Sequence, residues 1–372
     1  MDMVMIPKRL AAATLTIDLG ALADNWRLLD RLAGRAETAA VVKADAYGIG
    51  IAHAVPALAA AGCRTFFTAL PDEGEQVRRH APDSVVYVLD GLLPGAEDDY
   101  AALGLIPVLN DLGQIERWRR HAAALGRRLA CAIHLDTGMT RLGLLGQAVE
   151  RLIAEPALLD GLDVRAWLTH PACADLPGHE MNAHQLALFR ERTGRLPRAA
   201  RSAANSPAIF LDPEWHMDLV RPGVALYGSN PSPLCRGAMK EVVHLKARVL
   251  QVHEVTGERT IGYGATHRLG GPGRIATCGV GYGDGYLRSF GNRGFGVIAG
   301  HRVPLVGRVS MDLISFDITG VPEGRVEPAA EISLIGDGVD IDELAAKGDT
   351  IAYELLTGLG ARYARDYVGA SV

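Results

Sequence analysis

Residues 40–69 read AVVKADAYGIGIAHAVPALAAAGCRTFFTA, and this stretch decides the fold class. A β-rich run (Ala40–Lys43) leads into a polar loop punctuated by glycine. An apolar helix candidate follows (Ile51–Ala61), closed by Gly62, and then a second β-rich run (Thr65–Ala69). Outward from this unit the same alternation recurs. Further strand-like runs lie at Thr14–Ile17, Val85–Leu89, Ile106–Asn110, Ala130–Leu135, Val164–Thr169, Ala200–Ala204 and Leu219–Val220. Helix candidates lie at Leu19–Ala33, Asp72–His80, Leu112–Ala124, Ala148–Ala154 and His179–Arg192. Strand–helix alternation of this kind argues for parallel α/β architecture. About eight units suit a (β/α)8 barrel of the TIM type, a fold that takes ~250 residues. A doubly wound open sheet has the same local pattern.

After Pro231–Pro233 the pattern changes. Val242–Val255, Arg274–Gly281, Gly296–Ala299, Val303–Val306, Leu313–Ile318 and Glu331–Leu334 read as strands joined by Gly-rich turns, with one late helix candidate at Asp342–Ala346. The final segment, Ala352–Val368, is apolar enough to pack. The expected organisation is a barrel domain over residues 1–235 and a mostly-β domain over residues 236–372.

Composition narrows the function classes. With 372 residues the chain is long enough for two cores. Its 48% apolar and 22% charged residues are ordinary for a globular protein. A net charge of −5, with only short basic clusters such as Arg117, Arg119 and Arg120, gives no sign of a nucleic-acid or membrane partner. The N-terminal MDMVMIPKRLAAATL lacks the pattern of a signal peptide. No apolar run reaches the ~20 residues of a membrane span. The five cysteines are odd in number and contain no C-x-x-C, which suits reduced thiols in a cytoplasmic protein. No zinc-ligand spacing occurs, so no metal is expected.

The first chemical signal is VVKADAYGIG (41–50). A lysine at the C-terminal end of a barrel strand points into the active-site mouth. An isolated lysine closing a strand is usually a surface residue. Lys43, however, follows three apolar residues, and a desolvated ammonium has a lowered pKa that suits Schiff-base chemistry. Tyr47 is an oxygen donor one short loop away.

This segment resembles the cofactor-lysine segment of the alanine racemase family, which uses pyridoxal 5′-phosphate (PLP). The likeness continues in DTGMTRLG (136–143), LTHPACAD (168–175), ANSPA (204–208), RPGVALYG (221–228), IGYGATHR (261–268), GYGDGYLR (281–288), VGRVSMD (306–312) and AYELLTGLG (352–360). The segments keep the family's order along nearly the whole chain. The resemblance implies a PLP-dependent amino-acid racemase that interconverts L- and D-alanine by two-base α-proton transfer. Its fold would be a (β/α)8 barrel plus a β domain, and its active unit a homodimer with sites shared between chains.

By the same resemblance Lys43 binds PLP and acts as the base on one face of the substrate. Tyr263 is the base on the other face, since one group cannot serve both faces of a planar carbanion. An unperturbed phenol holds its proton at neutral pH, so a cationic neighbourhood is needed; His170 and Arg221 match the family's pair for this task. Arg221 also matches the residue that meets the pyridine nitrogen. Arginine stays protonated and can only donate, which weakens the ring as an electron sink and limits side reactions such as transamination. Tyr47, Asn205, Ser206, Gly223, Val224 and Tyr353 match the phosphate-binding positions. Arg141 and Met311 match the substrate-carboxylate region, and Asp175, Tyr282 and Arg288 match the entrance. One position departs from the family: many members carry a CO2-modified lysine two residues before the DTG motif, where this chain has His134. An imidazole forms no equivalent carbamate. Either His134 donates to a neighbour, an anion fills the space, or Arg141 is held differently.

Other readings are a related racemase of serine or broader specificity, a decarboxylase of basic amino acids, a PLP carrier without catalysis, and a sugar hydrolase using Asp136 and Asp175. The second domain with Tyr263 argues against a simple carrier. The two aspartates are a carboxylate pair by location only.

Overall fold

The structure is a computed structural model and describes residues 7–369; residues 1–6, part of the segment read above for a signal peptide, lie outside the described residues. It forms two compact units. One comprises residues 22–240; the other joins the residues up to 21 with those from 241 onward.

The chain's first strand, β1 (Ala13–Asp18), belongs to the second unit, as described below. After α1 (Leu19–Ala33) the first unit winds through β2 (Glu37–Thr38) and β3 (Ala40–Val41), two pieces of one run broken at Ala39. The strands that follow are β4 (Thr65–Thr68), β5 (Val85–Val88), β6 (Ile106–Leu109), β7 (Leu129–His134), β8 (Leu162–Leu168), β9 (Ala200–Ser202) and β10 (Leu219–Val220). From β3 to β9 each strand pairs in parallel with the next.

Backbone bonds close the ring through β10. On one side Asp218 N donates to Arg201 O and Arg221 N to Ala204 O. On the other, Ala39 N donates to Val220 O and Val41 N to Pro222 O. The result is the (β/α)8 barrel that the alternation predicts. Most of its strand residues are buried (β4 throughout), as expected where helices cover the outside.

The helices of this unit are α2 (Lys43–Tyr47), α3 (Ile51–Ala61), α4 (Pro71–His80), α5 (Glu97–Leu103), α6 (Leu112–Ala124), α7 (Gly146–Ala154), α8 (Glu180–Arg195) and α9 (Ser206–Leu211). Asp111 caps α6 by accepting from Gln114 N at 2.8 Å. Helix α5 escapes a periodicity reading because it is short and acidic and buries only Tyr100.

The second unit is a mostly-β domain. Its long strand β11 (Val243–Val255) pairs antiparallel with β1, in register Ala13↔Ala247, and β1 pairs in parallel with the last strand. Between them come β12 (Arg259–Ile261), β13 (His267–Leu269), β14 (Gly273–Cys278), β15 (Phe295–Ile298), β16 (His301–Pro304), β17 (Ile314–Asp317), β18 (Glu331–Ile335), α10 (Ile341–Lys347), α11 (Ala352–Thr357) and β19 (Ala364–Val368). The sequence reading counts Thr14–Ile17 among the runs of the barrel domain, yet this run joins the sheet of the C-terminal domain. A strand's partner is chosen by tertiary pairing, and β11 and β19 supply hydrogen bonds on both its edges. The division between units likewise falls after residue 240, against an expected 235. Among the described residues no helix is long and apolar enough to cross a membrane, and no group of three or more His, Cys, Asp or Glu could hold a metal ion.

Candidate active site

A cavity of about 230 Å³ opens among the C-terminal ends of the barrel strands, lined by Lys43, Asp90, His134, Arg141, His170 and Arg221 together with apolar neighbours. Each of these residues follows, or is the last residue of, a strand or strand-like run, which is where this fold builds its active sites. Two arginines, Arg141 and Arg221, against one carboxylate, Asp90, suit an anionic ligand.

Lys43 starts a left-handed turn. Ala44, Asp45, Ala46 and Tyr47 all have φ between 52° and 54°. Each such L-residue costs roughly 1–2 kcal/mol relative to the right-handed form, so the turn must be held by its surroundings. Asp45 Oδ1 accepts from Ile51 N at 2.8 Å, and Glu73 Oε1 accepts from Ala44 N at 2.5 Å. Burial, and then the positive charge of Arg141, lower the Lys43 pKa; Asp90 and Glu73 work in the opposite direction. The net effect favours a neutral, nucleophilic amine.

Arg221 lines the cavity and is itself buried. Its Nη2 donates to Thr169 O at 2.6 Å, its Nη1 donates to Ser202 Oγ, and its guanidinium lies 5.9 Å from the centre of the Phe67 ring. These hydrogen bonds go to a carbonyl and a hydroxyl, not to a carboxylate. Burial lowers its pKa to about 10, which still leaves it protonated at neutral pH. Burial and the positive charges of Arg221 and Arg141 push the His170 pKa well below its usual value, so its imidazole is neutral.

The first of the three alternatives for His134 describes what its ring does. Asn110 Nδ2 donates to Leu89 O and Val108 O, which turns Asn110 Oδ1 toward His134 Nδ1 at 3.1 Å. The imidazole therefore donates through Nδ1. Burial, and then Arg221, lower its pKa to about 4, so it carries no charge at neutral pH.

Of the positions assigned to a phosphate, Ser206, Gly223 and Tyr47 meet one another within the barrel unit. Ser206 Oγ accepts from Gly223 N at 2.9 Å and from Ala225 N at 3.3 Å, which leaves its own O–H as a donor. A Cβ added to Gly223 would lie 2.3 Å from Tyr47 Oη, so only glycine permits this approach. Tyr47 stacks on Tyr227 with ring centres 4.6 Å apart, and Tyr227 Oη donates to Val41 O at 2.9 Å. A phenol, a hydroxyl and a glycine-lined backbone suit a phosphate-bearing cofactor such as PLP. Val224 follows Gly223 as a buried residue. Asn205 caps α9: its Oδ1 accepts from Ala208 N at 3.2 Å.

Arg141 is exposed on the DTG loop. That loop is ordered by Asp136, whose Oδ1 accepts from Gly138 N and Met139 N; Asp136 O accepts from Arg192 Nη1. Asp136 is thus a buried loop brace and not one of a hydrolytic pair, and Asp175 is exposed. Gln185, fully buried on α8, donates to Thr137 Oγ1 and His170 O and accepts from Ala172 N. Thr137 Oγ1 lies 2.7 Å from Thr169 Oγ1, so a continuous network steadies the loops of Arg141, His170 and Arg221. Sequence reasoning missed Glu73, Asp90, Gln185 and Ser202. Only Asp90 carried a signal, by directly following a predicted strand.

The second unit holds the remaining assigned residues. Tyr263 stands at the tip of the β12–β13 hairpin with 73% of its surface exposed, between Gly262 and Gly264, both at φ 71°. The hairpin tip lies against the 307–308 backbone and the Arg308 guanidinium. The same 306–313 loop accepts Tyr282 N at Ser310 O and Gly283 N at Met311 O. Arg362 braces it by donating to Asp284 Oδ1 and Asp312 Oδ1, each at 2.7 Å. Tyr282, Arg288 and Met311 are exposed; Tyr353 is half-buried on α11. Tyr263, Tyr282 and Met311 thus share one loop system.

Comparison with known proteins agrees with this geometry. Residues 17–231 match the model of the alanine racemase N-terminal domain, and residues 242–367 that of the alanine racemase C-terminal domain. The chain is 49% identical over 361 residues to an alanine racemase of Rhodospirillum rubrum, covering 96% of each chain. Among solved structures it resembles alanine racemase from Bartonella henselae with covalently bound pyridoxal phosphate. There the TM-score is 0.92 and the identity 36%, over 96% of this chain and 100% of the other. The biosynthetic alanine racemase of Pseudomonas aeruginosa gives a TM-score of 0.89 at 33% identity, with the same coverage.

Proposed function

The chain belongs to the alanine racemase family, and from that membership and the chemistry of its site we infer that it interconverts L- and D-alanine with PLP as cofactor. The observation that carries the reading is the cavity in which a lysine with a lowered pKa stands among Arg141, His170 and Arg221. Lys43 would hold the cofactor, with Tyr47, Ser206 and the Gly223–Val224 backbone about its phosphate, Tyr353 adding a further donor, and Arg221 at its ring nitrogen. When bound, PLP withdraws electrons from the substrate α-carbon and makes its proton removable. The Lys43 amine exchanges that proton on one face. Arg141 and the Met311 backbone hold the substrate carboxylate by charge and hydrogen bonding. Tyr263 exchanges the proton on the other face, its phenolate favoured by the cationic side of the cavity. Asp175, Tyr282 and Arg288 line the approach.

The active unit of this reading is a homodimer in which each chain's Tyr263 serves the other's Lys43. Support comes from Tyr263, which is 73% exposed beside the likewise exposed Tyr282, Met311 and Leu313: an aromatic and apolar face that a partner chain would cover. A C2 pairing completes two sites at once. The five free cysteines suit a reducing cytoplasm.

A mixing experiment tests the pairing. Lys43→Ala and Tyr263→Phe proteins, each nearly inactive alone, are unfolded together, refolded and assayed on L-alanine by chiral chromatography, with L-serine as a second substrate. Sharing between chains gives each mixed dimer one intact site and about half the parent activity. Verified mixed dimers that remain inactive would overturn it. Equal or faster turnover of L-serine would overturn alanine as the substrate.

A further inference from the structure

The left-handed turn that presents Lys43 lacks glycine at its four positive-φ positions, 44–47. Its own bonds, Gly48 N to Ala44 O and Gly50 N to Asp45 O at 2.8 Å each, are joined by one from outside the turn. Its first amide, Ala44 N, donates to Glu73 Oε1 at 2.5 Å. The other oxygen of the same carboxylate, Oε2, accepts from Ala69 N at 2.9 Å and Leu70 N at 3.1 Å, at the start of α4. Glu73 is buried, with 8% of its surface exposed. One carboxylate thus ties the cofactor-lysine turn to the end of the neighbouring barrel strand β4.

We propose that Glu73 is a positioning residue for the reaction: its carboxylate clamps the strained 44–47 turn onto α4 and so fixes where Lys43 and Tyr47 meet the cofactor. This rests on the reading of Lys43 given above. Glu73 also caps its own helix, so a merely structural role must be separated from the clamp. Aspartate at this position keeps an acidic group in the first turn of α4 but is one methylene shorter, and loses the reach to Ala44 N. Ala44 is exposed, and glycine there adopts φ near 53° without the Cβ penalty while removing no buried contact.

The test compares the parent holoenzyme, Glu73→Asp, and Glu73→Asp combined with Ala44→Gly. Amide hydrogen exchange is read separately over residues 44–50 and 72–80, and PLP release is followed by absorbance. The clamp predicts faster exchange in 44–50 with 72–80 unchanged, PLP release about tenfold faster, and a fall in kcat exceeding any rise in KM. The Ala44→Gly change should recover most of the loss, because it lowers the strain that the clamp opposes. Parent-like PLP release and 44–50 exchange in Glu73→Asp overturn the proposal, as does loss of protection centred on 72–80 without rescue by Ala44→Gly. If Glu73→Asp does not fold, Glu73→Gln is read by the same exchange windows and the same rescue. A Lys43→Ala control separates the two readings: cofactor spectra unchanged in that variant would remove Lys43 itself, whereas a silent Glu73→Asp with Lys43 intact removes only the clamp.

Discussion

The cavity of the barrel unit and the Tyr263 face of the β unit carry chemistry in opposite ways. Around the cavity, functional groups are buried and held by named partners: Arg221 by Thr169 and Ser202, His134 by Asn110, the Lys43 turn by Glu73. Burial and adjacent cations have already shifted Lys43, His134 and His170 toward their neutral forms. Tyr263 stands instead on a glycine-flanked tip in solvent, where nothing in its own unit withdraws it from water. A base on a rigid, dry wall is prepared before substrate arrives; a base on an exposed tip acquires its environment on assembly. The contrast teaches that the first half-site should tolerate little alteration, whereas the second should respond to whatever covers it.

The largest effect separates the two halves directly. Lys43→Ala should abolish cofactor attachment, seen as failure of borohydride to fix the chromophore, and should lower turnover by roughly 10³-fold or more. Tyr263→Phe should lose roughly 10²–10⁴-fold in racemisation while keeping the parent's chromophore and PLP affinity. If Tyr263→Phe also loses the cofactor, the division between a cofactor-holding half and an added base is wrong.

A second experiment probes how dry the barrel wall is. The folded-state pKa of His134 lies near 4, below the ordinary 6.5. Below pH 6.5 the unfolded chain takes up a proton that the folded chain refuses. The stabilisation is therefore complete above that pH and is lost as pH falls toward 4, by up to about 3 kcal/mol. His134→Gln can still donate to Asn110 and should flatten this part of the stability–pH profile in urea titrations at pH 7 and pH 4.5. Parallel losses in parent and variant would mean the imidazole is more solvated than its position implies.

The smallest effect concerns the cradle. Ser206→Ala removes the acceptor of Gly223 N and Ala225 N and one phosphate donor. PLP affinity should fall about tenfold, with kcat little changed at saturating cofactor. An unchanged dissociation constant by fluorescence titration would take Ser206 out of the cradle.

Local pattern determined much of this protein. Alternating β-rich and helical stretches specified parallel α/β architecture because each element's period is written in its own residues; closure into a barrel rather than an open sheet was decided by the backbone bonds of β10 to both its neighbours. Lys43 was legible as a mouth residue because it follows an apolar run, whereas His170 and Arg221 were named through the resemblance of the ordered motifs to a family. Tertiary structure alone decided where β1 pairs, since its hydrogen-bonding edges are filled by β11 and β19, more than two hundred residues away. It alone made Asn205 the cap of α9 and turned Ser206 onto Gly223. It also revealed Glu73 and Gln185 as braces. Both sit on helices that read as ordinary, and their roles depend on backbone groups of distant loops that no spacing along the chain encodes. Periodicity reports which face a residue takes, whereas a hydrogen bond across the fold requires both ends to be placed, and only folding places them.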